Sequence, residues 1–313
     1  MKESSMLFPA ATTEERELMV KHYPSKYIVA IGDIHGQLDA LKRLFIKLEK
    51  KLGSKLYDTY HVVFLGDYVD RGPKIKETIG WMIDLKEKRK PKTTHFLMGN
   101  HCHAFAMFLG LWDDDVDPNR SLGTTCKNYT RDFELWSGEG HKDMHLQGRR
   151  WGTGFVYSSF NTFYSYCCDD ARKDLEVVGK RDLLRKCVPS SHKRFFKEMP
   201  WVLYNDDAIF VHGGFHSSTS LKEQLLVLLK KDIYTARVKP LSERSYIDMD
   251  GHPETHRMIV SGHTQVKHVK ISPKRALVDI SGGVGGELAC IVLPYAKAIS
   301  TVEDDEETDL IEE

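Results

Sequence analysis

Five short stretches of this chain carry side chains that can bind metal ions: Gly32-Asp33-Ile34-His35-Gly36, Gly66-Asp67-Tyr68-Val69-Asp70-Arg71-Gly72, Gly99-Asn100-His101, His212-Gly213-Gly214 and Ser261-Gly262-His263-Thr264. Asp33, Asp67, Asn100 and the three histidines His35, His212 and His263 offer hard oxygen and borderline nitrogen donors. That set suits manganese, iron or zinc better than calcium or a thiolate-seeking ion. Two ions need a ligand in common, and a carboxylate has two oxygens to share. Asp67 is the natural bridge, with Asp33 and His35 on one ion and Asn100, His212 and His263 on the other. Two divalent ions held roughly 3.5 to 4 Å apart clamp a phosphoryl group and acidify a water between them. The bridging hydroxide then attacks phosphorus in line, with no covalent enzyme intermediate.

His101 adjoins Asn100 and so shares its rim, where an imidazole can protonate a departing alkoxide or phenoxide. Asp70, three residues past the bridge, is placed to fix that imidazole's orientation and partner its charge. Arg71 supplies a forked guanidinium for two phosphate oxygens, which a lysine would serve less well. Each piece alone has an ordinary structural reading. A histidine after a strand is commonly a hydrogen-bonded fixture, Gly66 and Gly72 fit plain turns, and Asp70 with Arg71 fits a surface ion pair. What singles them out is that all five ligand-bearing turns follow strand-like runs in one order.

Those runs are Tyr27–Ile31, His61–Leu65, Thr94–Met98, Ala208–Val211 and Arg257–Val260, each short, mostly apolar and bounded by breakers, as buried strands are. Leu38, Leu41, Leu44, Phe45, Leu48 and Leu52 recur at helical spacing, and Pro73 to Lys90 predicts a second helix. Asp33 and Asp67 are 34 positions apart, and Asp67 and Asn100 are 33 apart. Each step fits a β-α-β unit that brings the chain back to the same end of a sheet, where ligands collect at the strands' carboxyl ends. Residues 111–154, rich in Trp, Asp, Gly and His, break the alternation and read as a cap-like insertion.

The composition, 41% hydrophobic and 29% charged, is that of an ordinary globular protein. No apolar run reaches the roughly 18 to 20 residues of a membrane span, and the N-terminus lacks a signal-peptide pattern. Six cysteines without a C-x-x-C pair do not form a disulfide framework, which predicts reduced thiols in the cytosol or nucleus. Net charge is zero, but residues 303–313 hold eight acids and no base. They read as a disordered acidic tail on a mildly basic single domain, residues 1–302. A basic body suits an anionic ligand, and the tail is a candidate internal competitor for it.

The motifs GDIHG (32–36), GDYVDRG (66–72), GNH (99–101), FVHGG (210–214) and SGHT (261–264) resemble the calcineurin-like metallophosphoesterases, specifically the PPP-type phosphoprotein phosphatases. The resemblance runs from about Tyr27 to Pro294. It implies an α/β fold with a central β-sandwich flanked by helices, the same six metal ligands, His101 with Asp70 as the proton-donating pair, and Arg71 on the phosphate. The segments 161–166, 188–192, SGHT and 280–283 look like the bacterial-type branch, and the chain as a whole is most similar to the Rhizobiales-like phosphatases of plants. That group implies a preference for phosphotyrosine over phosphoserine and phosphothreonine. Phosphoprotein substrates are the implied partners, with no nucleic acid, membrane or regulatory subunit indicated.

One departure stands out: the family pattern reads GNHE or GNHD, and here Cys102 replaces the acid. A buried packing thiol and a redox-sensitive tuning group are the two readings, and a catalytically dead phosphopeptide-binding module is an alternative that this departure raises. A small-molecule phosphoesterase, such as a dinucleoside polyphosphate hydrolase, keeps the same chemistry on another substrate. A phenolic phosphate needs a deeper approach than phosphoserine; Trp112, Trp136 and Trp151 can line it or pack in the core. Arg149, Arg150 and Arg237 are the candidates for a second phosphate-binding arginine.

Overall fold

Alternation along β1 (Ile28–Ile31) explains why a run of four apolar residues forms a strand buried on both faces. Val29 and Ile31 join Leu41, Leu44 and Leu48 of helix α1 (Leu38–Leu52) on one side. Ile28 and Ala30 pack on the other side against Phe210, Val260 and Ala276, residues of a second sheet. The computed structural model describes residues 25–112, 149–167, 180–233 and 238–302. The acidic tail, Trp136, Arg237 and most of the expected insertion fall outside them.

β1 pairs in parallel with β2 (His61–Phe64), and β2 in parallel with β3 (Thr94–Phe96). α1, the one-turn α2 (Lys55–Asp58) and α3 (Ile75–Lys88) make the crossovers. α4 (Asn100–Leu109) leaves β3 directly, followed by α5 (Arg149–Gly152), α6 (Phe160–Tyr166), α7 (Arg181–Cys187) and α8 (Ser190–Glu198). The second sheet begins with β4 (Val202–Tyr204) and β5 (Ala208–Val211), then after α9 (Leu221–Leu229) and α10 (Lys239–Ser242) adds β6 (Met258–Ser261), β7 (Lys270–Ser272) and β8 (Arg275–Leu277). β9 (Ala289–Leu293) and β10 (Lys297–Ser300) return to the first. The strand orders are β10-β9-β1-β2-β3 and β4-β5-β6-β8-β7.

All five strands expected ahead of ligand turns form, within two residues of the expected bounds. They divide between the two sheets, three in one and two in the other. The sandwich therefore brings two sets of parallel strand ends to one site, which a single sheet would have strung along its edge. Trp112 is buried against Trp201, their ring centroids 6.3 Å apart, and Trp151 is fully buried, so both are core residues and not the walls of an approach. Among the described residues no helix is long and apolar enough to cross a membrane.

Candidate active site

Each strand ends in a turn that its own sequence makes tight. β1 leads to Asp33 and His35, β2 to Asp67, β3 to Asn100 at the first turn of α4, β5 to His212 and β6 to His263. His35, Asp67, Asp70, Arg71 and His263 all have positive φ, from 44° to 73°, a region that non-glycine residues rarely occupy. Such conformations cost on the order of 1–3 kcal/mol each and persist where surrounding bonds over-determine them. Here the turns brace one another. The N–H groups of Ile34 and His35 donate to Asp67 O at 3.0 and 2.8 Å. His101 N donates to Asp67 Oδ1, and His263 N to Asp33 Oδ1, both at 2.9 Å. A Cβ at Gly99 would overlap Asp67 Oδ1, and one at Gly262 would overlap Asp33 Oδ1, so both turns need glycine.

The result is a buried cluster centred on the second Asp67 oxygen. Asp67 Oδ2 lies 3.1 Å from His212 Nε2, 3.8 Å from His35 Nε2 and 4.0 Å from His101 Nε2. His35 Nε2 is also 3.9 Å from Asp33 Oδ2, and His212 Nε2 is 3.0 Å from Asn100 Oδ1. Ligand atoms of His35, Asp67 and His101 fall within 4.8 Å of one another, as do those of Asp67, His212 and His263. Asp67 belongs to both groups. Backbone carbonyls fix the ring orientations: His35 Nδ1 is 2.6 Å from Val69 O and His212 Nδ1 is 2.9 Å from Leu65 O. With Nδ1 donating, Nε2 of each ring is turned inward: a lone pair on neutral His35, and a ligand atom on His212 once its proton leaves.

These residues fit metal ions on the structure's own terms. The buried Nε2 atoms of His35 and His263 have no hydrogen-bond partner, a condition that buried polar atoms rarely tolerate. Burial, reinforced by the neighbouring imidazoles, holds His263 down to about 3 and His35 well below its ordinary value, so both are neutral and free to ligate. Burial also raises Asp33 well above the carboxylate range, with Asp279 adding to it. Burial pushes Asp67 the same way, but the charges of His212 and His101 outweigh it and hold this carboxyl well below that range. The converse holds for His212: burial disfavours its charge, yet Asp67 and Asp33 overcome that and push it up to about 9. A proton on His212 thus stands in for part of the cationic charge that the cluster calls for.

Beside the cluster, His101 Nδ1 is 2.6 Å from Asp70 Oδ2. Asp70 is held in turn by residues that its sequence neighbourhood does not reveal. Trp151 Nε1 donates to it at 2.8 Å, and the Thr162 hydroxyl donates to its Oδ1 at 2.6 Å while accepting Asp70 N at 2.9 Å. Burial raises this carboxyl despite those donors. Arg71 Nη2 sits 3.2 Å from His101 Nε2, and Nη1 donates to Gly282 O. The Gly282 turn is shaped by Asp279, whose Oδ1 accepts Gly282 N at 2.7 Å. Although the His101 ring is close enough to join a metal group, its Nε2 accepts from an arginine, which favours a proton-transfer role over ligation next to that charge.

Cys102 is fully buried, and its sulfur accepts Tyr68 N at 3.2 Å. Burial pushes the thiol well above its usual range, which keeps it protonated and unreactive. The packing reading of Cys102 is the one the structure supports. Of the candidate second arginines, Arg149 and Arg150 open α5 and Arg237 lies outside the described residues. The sequence reading missed Arg244, an exposed residue whose Nη1 donates to His263 O at 3.2 Å; no motif marks it.

Strand-end turns of this kind on a two-sheet α/β fold define a metallophosphoesterase. A family model for the calcineurin-like phosphoesterases matches residues 26–267, and the chain belongs to that family, whose members use divalent metal ions. Over 102 residues the chain is 32% identical to the bis(5'-nucleosyl)-tetraphosphatase of Oceanobacillus iheyensis, covering 32% of this chain and 39% of that protein. Over 111 residues it is 34% identical to serine/threonine-protein phosphatase PP1-delta of Caenorhabditis elegans, covering 35% and 30%. These matches span less than two fifths of either relative. Among solved structures, a cold-active protein-tyrosine phosphatase of a psychrophilic Shewanella superposes with a TM-score of 0.45 at 21% identity, over 90% of this chain and 80% of that one.

The His212 proton gives a pH-dependence with a definite sign. Its pKa in the ion-free protein, about 9, lies above the free-imidazole value, so below pH 9 a divalent ion must expel a proton to bind there. Apparent metal affinity should therefore rise with pH up to about 9. Calorimetric Mn²⁺ titrations in buffers of different ionisation enthalpy should show at least one proton released per chain at pH 7; zero release would contradict the assignment.

Proposed function

We propose that this chain is a phosphoprotein phosphatase that hydrolyses phosphomonoesters at a pair of divalent metal ions and prefers phosphotyrosine. The observation that carries the reading is the adjacency of three parts: two ligand groups sharing Asp67, the His101–Asp70 pair at 2.6 Å, and the Arg71 guanidinium 3.2 Å from His101. Asp33 and His35 would hold one ion and Asn100, His212 and His263 the other, with Asp67 common to both. When bound, the ions supply Lewis acidity and a water acidified to near neutrality.

The chain's own groups do the rest. Arg71 turns its fork from His101 to two oxygens of the incoming phosphate, which frees His101 Nε2. The freed His101 Nε2 takes up a proton from solvent and gives it to the departing oxygen, while Asp70, clamped by Trp151 and Thr162, holds the ring through Nδ1. Arg244, whose Nη1 donates to the His263 carbonyl, is the candidate for a second phosphate-binding arginine.

The tyrosine preference draws its support from the resemblance to the Rhizobiales-like branch and from the surface beside Arg71. Arg71 N donates to Ser158 O, and the same turn exposes Phe155 at 78% and Val156 at 51%. The turn that receives Arg71 at Gly282 exposes Val284 at 69%. Apolar side chains on both turns bonded to Arg71 suit an aromatic leaving group better than a serine methylene. The unpaired thiols of Cys102, Cys187 and Cys290 fit a reducing compartment such as the cytosol. A second reading, hydrolysis of a dinucleoside polyphosphate, has the Oceanobacillus similarity in its favour.

Peptides identical but for phosphotyrosine, phosphoserine or phosphothreonine, run beside diadenosine tetraphosphate, decide between these. The tyrosine peptide should give the highest kcat/KM; equal rates on the three peptides would remove the preference, and faster cleavage of the dinucleotide would replace the substrate class. His101→Ala should keep its metal content while losing about 10²- to 10⁴-fold in kcat on a phosphopeptide. Loss of bound metal in that variant would instead make His101 a ligand.

A further inference from the structure

On the outer face of the second sheet lies a buried cation that the chemistry above does not use. Arg275 opens β8 at 2% exposure, in register with Ile259 of β6. Its neighbour Ala276 packs in the layer between the sheets, so strand alternation turns Arg275 the other way. There Nη1 donates to the carbonyls of Ile259 at 2.9 Å and Ala276 at 3.2 Å. Nη2 donates to the carbonyls of Tyr246 at 3.0 Å and Gly213 at 3.3 Å, and to the Ser261 hydroxyl at 2.7 Å. Every acceptor is a neutral oxygen. Burial lowers the guanidinium to about 9, with Asp248 acting the other way, so it is charged at neutral pH.

A buried charge without a bonded carboxylate is unfavourable, and an apolar side chain would cover these strands without that penalty. What only the fork does is join particular atoms. Gly213 follows His212, and Ser261 lies two residues before His263. The N–H groups of Gly213 and Gly214 both go to Pro240 O, at 2.8 and 3.1 Å, while the Gly213 carbonyl goes to Arg275. Gly214, at φ 130°, lets the turn close down on the guanidinium: a Cβ there would come within 2.9 Å of Nη2. One rigid, planar group therefore spans the two turns that carry His212 and His263, whose ring centroids are 4.9 Å apart.

We propose that Arg275 is a positioning residue, its guanidinium fixing the separation of the His212 and His263 turns and thereby the affinity of the ion position that these imidazoles share with Asp67. This rests on the two-ion reading above. A lysine, with no fork, reproduces only part of the contact set.

The test is a titration of Mn²⁺ alone into the metal-stripped full chain, in the wild type, Arg275→Lys, Arg275→Gln, Arg275→Ala and Ser261→Ala, each checked for folding by circular dichroism. The wild type should bind two ions. Arg275→Gln should bind one with unchanged affinity and the other about 10- to 100-fold more weakly, the range for losing a group that orients a metal ligand. Arg275→Lys should recover part of that loss, and methylguanidinium added to Arg275→Ala should restore it. In a His263→Ala background, which lacks that position, Arg275→Gln should cause no further weakening. Should the Arg275 variants fail to fold, Ser261→Ala carries the test alone, with a smaller loss confined to the same ion. Wild-type affinity at both positions in the variants, or equal weakening at both, would overturn the proposal. Fewer than two ions in the wild type would instead bring down the two-ion reading and this proposal with it.

Discussion

A carboxylate in the interior is tolerable only if positive charge surrounds it, and Asp67 is where this chain concentrates that requirement. Its Oδ2 has His212 Nε2 at 3.1 Å, His35 Nε2 at 3.8 Å and His101 Nε2 at 4.0 Å. Without an ion, the demand is met by a proton on His212. That solution is partial, since Nε2 of His35 and of His263 stay unpartnered beside it. A polar cluster that is satisfied only in part is costly at low dielectric, and divalent cations would complete this one.

Holding the cluster in that state falls to the fold. Five residues of the site sit on backbone of positive φ, strained positions that local sequence would not keep. The strain is carried by two sheets packed face to face, whose apolar layer from Ile28 to Phe210 and Val260 fixes the strand ends relative to one another. Cross-bonds such as His263 N to Asp33 Oδ1 then lock a turn of one sheet onto a turn of the other. The same division of labour appears at the His101–Asp70 pair. Asp70 is supplied by the turn after β2, but its orientation comes from Trp151 and Thr162, far along the chain.

The ligand turns were legible because their sequence writes both halves of the structure at once: a short apolar run such as His61–Phe64, then glycine and a polar ligand. Helix α1 was legible for a similar reason, its leucines repeating at the spacing of one buried face. β9, five apolar residues, was open to the same reading, but it runs antiparallel to β1 and delivers no ligand to the rim. Its place between β1 and β10 is a matter of topology that local pattern does not encode. Backbone acceptors such as Val69 O and Leu65 O have no residue signature at all. Trp151, Thr162, Asp279 and Arg275 act through distances that only packing creates, and Trp151 and Arg275 look in sequence like ordinary core and surface residues. Cys102 was the reverse case: conspicuous in sequence, quiet in structure, a buried sulfur accepting from the backbone N–H of Tyr68.

The central claim is that a single carboxylate serves two ions, and magnetism reads this directly. Electron paramagnetic resonance of the full chain loaded with two Mn²⁺ per molecule should give the spectrum of a spin-coupled pair, because a shared carboxylate and a short separation transmit exchange between the ions. Two independent, uncoupled Mn²⁺ signals at the same loading would contradict the account.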